Sequence, residues 1–161
     1  MTELFQKTVP APIGPLRLVA SGAALVALDL PKAAHARPLP AKEARRHPVL
    51  DAAARELADY FRGKKRVFGT PLAPAGTPFQ RAVWEEVALI PFGEVRSYAE
   101  VALEIGRPRA VRAVGGANAR NPIPIFVPCH RVVGSDGTLT GYAGGLEAKE
   151  LLLSLEGARG E

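Results

Sequence analysis

The chain has 161 residues, 47% of them hydrophobic and 23% charged, a balance that supports a folded core and excludes a disordered or low-complexity chain. Its single cysteine excludes an internal disulfide and a multi-cysteine zinc site, His35, His47 and His130 lack ligand spacing, and no run approaches the roughly 20 apolar residues of a membrane span. The formal net charge of +5 suggests an anionic partner, yet residues 1–76 carry twelve basic and six acidic side chains while 77–161 carry nine and ten, so the surplus lies away from the cysteine and reads as solvated surface at Arg45-Arg46 and Lys64-Lys65-Arg66.

Residues 4–30 read as β structure. Leu4 to Val9, Leu16 to Val19 and Leu25 to Leu28 are short apolar runs separated by Pro10-Ala-Pro12 and Ser21-Gly22, a spacing that predicts a small antiparallel sheet. Pro31 to Arg46 has three prolines and no apolar period, so it is expected as a surface connection. From Pro48 the period becomes helical, with Leu50, Ala53, Ala54, Leu57, Tyr60 and Phe61 on one face and Gly63 placed to end the helix. No catalytic constellation is visible in this half, which reads as scaffold. Gly69 to Gly76 is the expected linker, dividing the chain into units at 1–76 and 77–161.

Thr77-Pro78-Phe79-Gln80 supplies a cap residue, a proline at the first helical position and a capping-box glutamine, and predicts a helix to about Ile90 with Phe79, Val83, Val87 and Ile90 inward. Trp84 is expected to pack in the core rather than to stack on a base. Ser97-Tyr98-Ala-Glu100 is a second capping box, followed by Val101, Ala102 and Ile105 on one face and Gly106 at the end. A new helix is expected near Pro108, so that two short helices form a helix-turn-helix whose second member could enter a nucleic-acid groove. Arg109, Ala110, Arg112, Ala113, Gly115, Gly116 and Ala117 leave its outer side almost bare. Each interior glycine costs about 1 kcal/mol relative to alanine, which suggests a close approach to the backbone. Tight helix packing would explain the small residues equally well; Arg109 and Arg112, one turn apart, favour DNA.

Pro122 to Val127 is apolar and proline-rich, and is expected as a buried strand-like segment that presents Cys129 at its end. An isolated cysteine is usually a small core hydrophobe. Here His130 and Arg131 follow at once, within an acid-free stretch from Ile105 to Ser135 that also carries Arg107, Arg109, Arg112 and Arg120. Such neighbours lower a thiol's pKa, as a cysteine nucleophile needs. After a Gly134–Gly137 turn comes Gly141-Tyr142-Ala143-Gly144-Gly145, read as a flexible segment. A last helix to about Leu155 is expected to turn Ala148, Leu151, Leu152 and Leu155 inward. Glu156 then sits at the negative end of a helix dipole, against the local electrostatic preference.

Pro128-Cys129-His130-Arg131-Val132 resembles the active-site signature of the O6-alkylguanine-DNA alkyltransferases. Thr77-Pro-Phe-Gln80, Gly93-Glu-Val-Arg-Ser-Tyr98, Arg109-Ala-Val-Arg112-Ala-Val-Gly-Gly, Asn121-Pro and Gly141-Tyr142-Ala-Gly-Gly145 follow in family order, covering nearly all of 77–157. The resemblance implies an α+β protein: a ribonuclease-H-like N-terminal sheet with a helix, then a mainly helical domain with the helix-turn-helix. It implies single-turnover transfer of an alkyl group from O6 of guanine to Cys129, with no cofactor and no metal. His130 would take the thiol proton through a water, Glu156 would orient the imidazole, and Tyr98 would protonate a ring nitrogen of the leaving base. The amide of Ala143 would donate to O6, while the carbonyls of Cys129 and Val132 accept from the exocyclic amine and Tyr142 and Gly144 line the base pocket. Asn121 would tie the recognition helix to the cysteine segment. Arg112 would hold the space of the flipped base from the minor groove, with Arg109, Ala113, Gly115, Gly116 and Arg120 on the DNA-binding face. Ala143 stands where the family has a serine-like residue, which bears on tolerance of bulky alkyl groups.

The partner so implied is double-stranded DNA carrying O6-alkylguanine, with O4-alkylthymine a further candidate, met by a monomer without membrane attachment. The N-terminal residues lack the order of a signal peptide, so a cytoplasmic protein is expected. Three rival readings are a non-catalytic lesion binder, a transcriptional regulator and a cysteine hydrolase. Cys129 argues against the first, and the absence of a recognisable ligand domain against the second. Adjacent Cys and His would point to opposite faces of a strand, which weakens the third.

Overall fold

The computed structural model describes residues 2–32 and 39–158. Strands β1 (Phe5–Val9), β2 (Leu16–Ala20) and β3 (Leu25–Asp29) form the antiparallel meander expected from the sequence. The sheet is mixed, because β4 (Lys42–Glu43) adds a parallel edge beside β1, tied by Lys42 N to Leu4 O at 2.9 Å. That corrects the reading of residues 31–46 as connection only. Both β4 side chains are exposed, so no hydrophobic alternation could announce the strand. His35 and the rest of 33–38 lie outside the described residues.

Helix α1 (Pro48–Phe61) covers the sheet. His47 caps it through a bond from Leu50 N at 3.3 Å, Pro48 opens it, and Gly63 turns away at φ 74°. Leu50, Ala53, Leu57 and Tyr60 bury its inner face against Leu16, Leu18 and Leu25. Ile123, Ile125, Phe126 and Leu152 enter the same core from the second half of the chain. The expected linker is pinned rather than free: Leu25 N and O pair with Pro71 O and Ala73 N at 2.9 Å each, and Glu56 accepts from Gly69 N and Thr70 N.

The second core gathers Val83, Trp84, Val87 and Ile90 with Val101, Ala102, Val114 and Val132. Helix α2 (Pro78–Val87) and helix α3 (Tyr98–Glu104) both begin with complete capping boxes, as read from the sequence. Trp84 is a core residue whose indole N–H reaches Ala117 O at 2.8 Å. A two-residue parallel ladder of β5 (Arg96–Ser97) and β6 (Val132–Val133) joins the start of α3 to the chain just after the cysteine. Helix α4 (Val111–Ala119) starts later than expected, because Ala110 N bonds Arg107 O and closes a separate turn first. Arg109 therefore stands before the helix, not on it.

Residues 123–127 are buried and Pro122 half-buried, but the segment does not form a strand. Val127 N bonds Ile123 O at 2.9 Å, so the segment doubles back as a turn, with Ile125 at φ 75°. A β-branched residue is strained there, and something must hold it. Helix α5 (Leu146–Leu155) completes the fold.

Candidate active site

The strained turn is held by Asn121. Its side-chain oxygen accepts from Ile123 N at 2.9 Å and its amide donates to Val127 O at 2.8 Å, clamping both ends. Asn121 follows α4 and thus anchors the cysteine segment itself. The bond from α4 to the cysteine comes from a residue the sequence does not single out: Asn118, whose amide donates to the carbonyl of Cys129 at 3.2 Å. The spacing Val114, Ala117, Asn118 on the inner face of a helix was the available signal.

Cys129 opens a single-turn 3-10 helix over Cys129–Arg131, its N–H bonded to Val127 O at 2.7 Å, and is only 5% exposed. Adjacent residues on such a turn diverge without lying on opposite faces of a strand, so the geometric objection drawn from an extended Cys-His pair does not apply. The expectation of an activated resting thiol is corrected. Burial pushes the Cys129 thiol up from its ordinary value, and the Asn121 side chain and the Lys149 ammonium only partly offset it. Arg131 does not serve the thiol, because Glu156 neutralises it.

Glu156 is the centre of the polar network. It terminates α5 and is 6% exposed. Its Oε2 accepts from Tyr60 Oη at 2.5 Å, His130 Nε2 at 2.8 Å and Arg131 Nη2 at 2.9 Å, while Oε1 accepts from Arg131 Nε at 2.8 Å. Arg131 Nη1 continues to Ile90 O at 2.7 Å. Burial alone would raise the carboxyl, but the bonds from His130, Arg131 and Tyr60 outweigh it and hold Glu156 at about 2. The dipole violation seen in the sequence is thus a carboxylate paid for by a guanidinium and an imidazole. His130 is fully buried, which lowers its pKa against the opposing pull of Glu156. Its Nδ1 has no hydrogen-bond partner among the described residues.

Two members of this constellation were missed. Tyr60, on α1, corrects the view that the first half is scaffold alone. Lys149 is fully buried, donating to Val132 O at 2.7 Å and Thr140 O at 3.2 Å. Burial lowers it to about 8, a shift the Cys129 charge opposes. The inner stripe of α5 is Lys149, Leu152, Leu153 and Glu156; of the expected Ala148, Leu151, Leu152 and Leu155, Leu152 is fully buried and the other three are half-buried. The i, i+3, i+4, i+7 spacing that includes both charged residues was the signal.

The predicted base-pocket residues come from β6 and the 141–145 turn, with Tyr98 at the start of α3. Tyr98 Oη pairs with Thr140 Oγ1 at 2.7 Å, and the Tyr142 hydroxyl is buried without a bonded partner among the described residues. The carbonyl of Cys129 accepts two bonds, from Asn118 Nδ2 and from Val132 N, while that of Val132 accepts from Lys149. Gly144 is buried: a Cβ there would lie 2.7 Å from Leu30 Cδ1, so the segment read as flexible is packed on the N-terminal sheet. Ala143 is half-buried beside it.

Tyr98, Arg109, Val111, Arg112 and Gly115 line one open groove. Arg109, Arg112, Ala113, Gly116 and Arg120 are exposed around it. A Cβ on Gly116 would meet nothing within 4 Å, and one on Gly115 would only touch the Tyr98 ring at 3.8 Å, so packing inside the protein does not require either glycine. The arrangement joins a cationic, sterically bare helix to a protonated thiol with a buried imidazole and carboxylate behind it.

Residues 78–158 match the family described as 6-O-methylguanine DNA methyltransferase, DNA binding domain, and residues 4–74 match its ribonuclease-like domain. The chain is 49% identical over 153 residues to the methylated-DNA–protein-cysteine methyltransferase of Methanosarcina barkeri, covering 95% of this chain and 97% of that one. It is 43% identical to the protein of that name from Haemophilus influenzae, over 97% of this chain and 88% of the other. The crystal structure of Mycobacterium tuberculosis OGT in complex with DNA superposes with a TM-score of 0.89 at 42% identity, covering 96% of this chain and 94% of that one.

Proposed function

The chain belongs to the 6-O-methylguanine DNA methyltransferase family, and we propose from that premise that it repairs DNA by direct reversal, moving an alkyl group from O6 of guanine onto Cys129. The observation that carries the reading is the sole cysteine set at the start of a turn whose next residue, His130, is bonded to a buried Glu156, under a helix bared by Gly115 and Gly116.

The residue roles follow from that placement. A stacked base cannot reach a thiol that is 5% exposed, so the lesion is flipped out of the duplex. Arg112 fills the vacated space from the minor groove, while Arg109, Ala113, Gly115, Gly116 and Arg120 face the backbone. The extruded guanine lies between Tyr98, Tyr142, Ala143 and Gly144. The amide of Ala143 donates to O6, and the carbonyls of Cys129 and Val132 accept from the exocyclic amine, the first by sharing an oxygen that Asn118 and Val132 N already bond. The thiol proton passes to His130 Nδ1 through a water, and Glu156 stabilises the resulting imidazolium. Sulfur then forms a bond to the alkyl carbon as the carbon–O6 bond breaks. The electron pair goes to the guanine, Tyr98 protonates a ring nitrogen, and the imidazolium and solvent restore the phenol. The products are guanine and an S-alkylcysteine. A thioether is not hydrolysed by any group near it, so each molecule acts once.

The same reading assigns the division of labour: a scaffold at 1–76 that also lends Tyr60 to the site, and a DNA-binding, alkyl-accepting unit at 77–161, acting as a monomer in the cytoplasm. The buried residues of the second core all come from 77–161, which supports the division, although Ile123, Ile125, Phe126 and Leu152 complete the first core; among the described residues no helix is long and apolar enough to cross a membrane.

Duplex DNA with one isotopically labelled O6-methylguanine tests the proposal. The expected result is one label per protein molecule, found on the peptide containing Cys129. Label released as methanol, or recovered on another side chain, would overturn it.

A further inference from the structure

Helix α1 sends one polar atom into the site, the hydroxyl of Tyr60. The ring itself packs among Phe61, Phe68 and Phe92, with centroids 5.2, 5.5 and 6.2 Å away, contacts a phenylalanine would make equally well. The hydroxyl adds nothing to that packing, and a buried hydroxyl is costly unless bonded. Its partner is Glu156 Oε2, at 2.5 Å.

We propose that Tyr60 is a positioning residue for alkyl transfer: by donating to Glu156, it sets how strongly that carboxylate holds the imidazole of His130. The inference rests on the roles given to Cys129 and His130 above.

Donor and acceptor are unambiguous. Burial, then the Glu156 charge, raise the phenol far above its ordinary value, so it keeps its proton and donates. Glu156, at about 2, is a carboxylate and only accepts. Three donors meet on Oε2: Tyr60, His130 and Arg131. Each draws on the same negative charge, so the share reaching His130 depends on the other two. The charged and titratable groups around the pair are Arg131 on the 3-10 turn, Lys149 on α5, Tyr60 on α1 and the Tyr142 hydroxyl, with Gly93 N a second, longer donor to Oε1 at 3.5 Å. Tyr60 is the one supplied by the N-terminal half.

The sign follows. Removing the phenol donor leaves more carboxylate charge to stabilise imidazolium, so the pKa of His130 rises. A base must be neutral to take the thiol proton, and the acid limb of the rate profile therefore moves to higher pH. Strengthening the phenol as a donor moves it the other way.

The test is single-turnover transfer from an O6-methylguanine duplex, measured across pH for the wild type, Tyr60→Phe, the protein carrying 3-fluorotyrosine at position 60, and Leu57→Ala. Leu57 lies in the same core without being bonded to Glu156, so its truncation is the control for lost stability. Tyr60→Phe is expected to raise the acid limb by about half to one pH unit, roughly three- to tenfold slower transfer below it, with the alkaline plateau within about twofold. The fluorinated phenol, a stronger donor of nearly the same shape, is expected to lower the limb. An unmoved limb with fluorotyrosine, or an equal displacement in Leu57→Ala, would overturn the role of Tyr60. Because the fluorotyrosine protein keeps the native packing, it decides the matter even where Tyr60→Phe is too unstable to assay. A wild-type protein that acquires no label on Cys129 would instead refute the functional reading itself.

Discussion

The amide of Asn118 donates to the carbonyl of Cys129 at 3.2 Å, so the helix that presents Arg112 to solvent also carries a bond to the reactive residue's own backbone. A shift of α4 would therefore be carried to the backbone of Cys129 through one side chain.

Replacing Asn118 with alanine should remove one of the two bonds to that buried carbonyl, leaving the one from Val132 N. A lost bond of this kind costs about 0.5–1.5 kcal/mol, which lowers the melting temperature by a few degrees in a domain of this size. Thermal unfolding followed by circular dichroism measures it, and a change below one degree would show that the bond contributes nothing.

Lys149→Met should raise the Cys129 pKa further, because the variant removes the ammonium that partly offsets the burial of the thiol. Cys129 is the only cysteine, so thiolate absorbance near 240 nm reports it alone. The folded-state pKa of Lys149, about 8, lies below its ordinary 10.5. Stability from this group accordingly rises with pH between those values in the wild type, and that rise should be missing in the variant.

Gly116→Ala separates two explanations of the bare helix. Since the added methyl meets nothing in the free protein, helix propensity should stabilise it by up to about 1 kcal/mol. Affinity for duplex DNA should fall at the same time, measured by fluorescence anisotropy at fixed salt. Unchanged affinity would mean that the backbone is not closely approached there.

Arg112→Ala should slow repair of a lesion in duplex DNA by at least tenfold while leaving reaction with the free O6-alkylguanine base within about twofold, since only the duplex needs a base extruded. Equal losses on the two substrates would remove Arg112 from flipping.

Acid should weaken the fold through Glu156. Its pKa lies at about 2, against an ordinary 4.5, so its stabilisation is complete above 4.5 and is lost as pH falls through 2. The size is on the order of 3 kcal/mol. Glu156→Gln should flatten that slope and destabilise at neutral pH, because Arg131 is left buried without its counter-charge. Adding Arg131→Met to Glu156→Gln should recover part of the loss. Urea titrations from pH 2 to pH 7 check all of these.

Local chemistry was legible in the sequence wherever it is decided locally. Both capping boxes, the α1 stripe from Leu50 to Tyr60 and the turn at Gly134 to Gly137 depend on residues within a few positions of one another, and the structure has them as read. The Cys129-His130-Glu156 grouping was legible only through the family signature. Tyr60 and Lys149 were not, since a phenol on an apolar helix face reads as core and a lysine as surface until the fold brings a distant acceptor to each. β4, β5 and β6 are two residues long, too short for any period to show. The turn at 122–127 was misread because prolines suggest extension, whereas Asn121 bends the chain through two side-chain bonds.

The order of synthesis gives Glu156 a further significance. A nascent chain that has delivered Tyr60, His130 and Arg131 still lacks the one acceptor that lets all three leave water together, and the guanidinium has no reason to withdraw from the ribosome's aqueous surroundings. The alkyl-accepting centre is thus assembled late, when α5 emerges. A frameshift or early stop upstream of position 156 should yield a polypeptide cleared by proteolysis, rather than an inert decoy occupying damaged DNA.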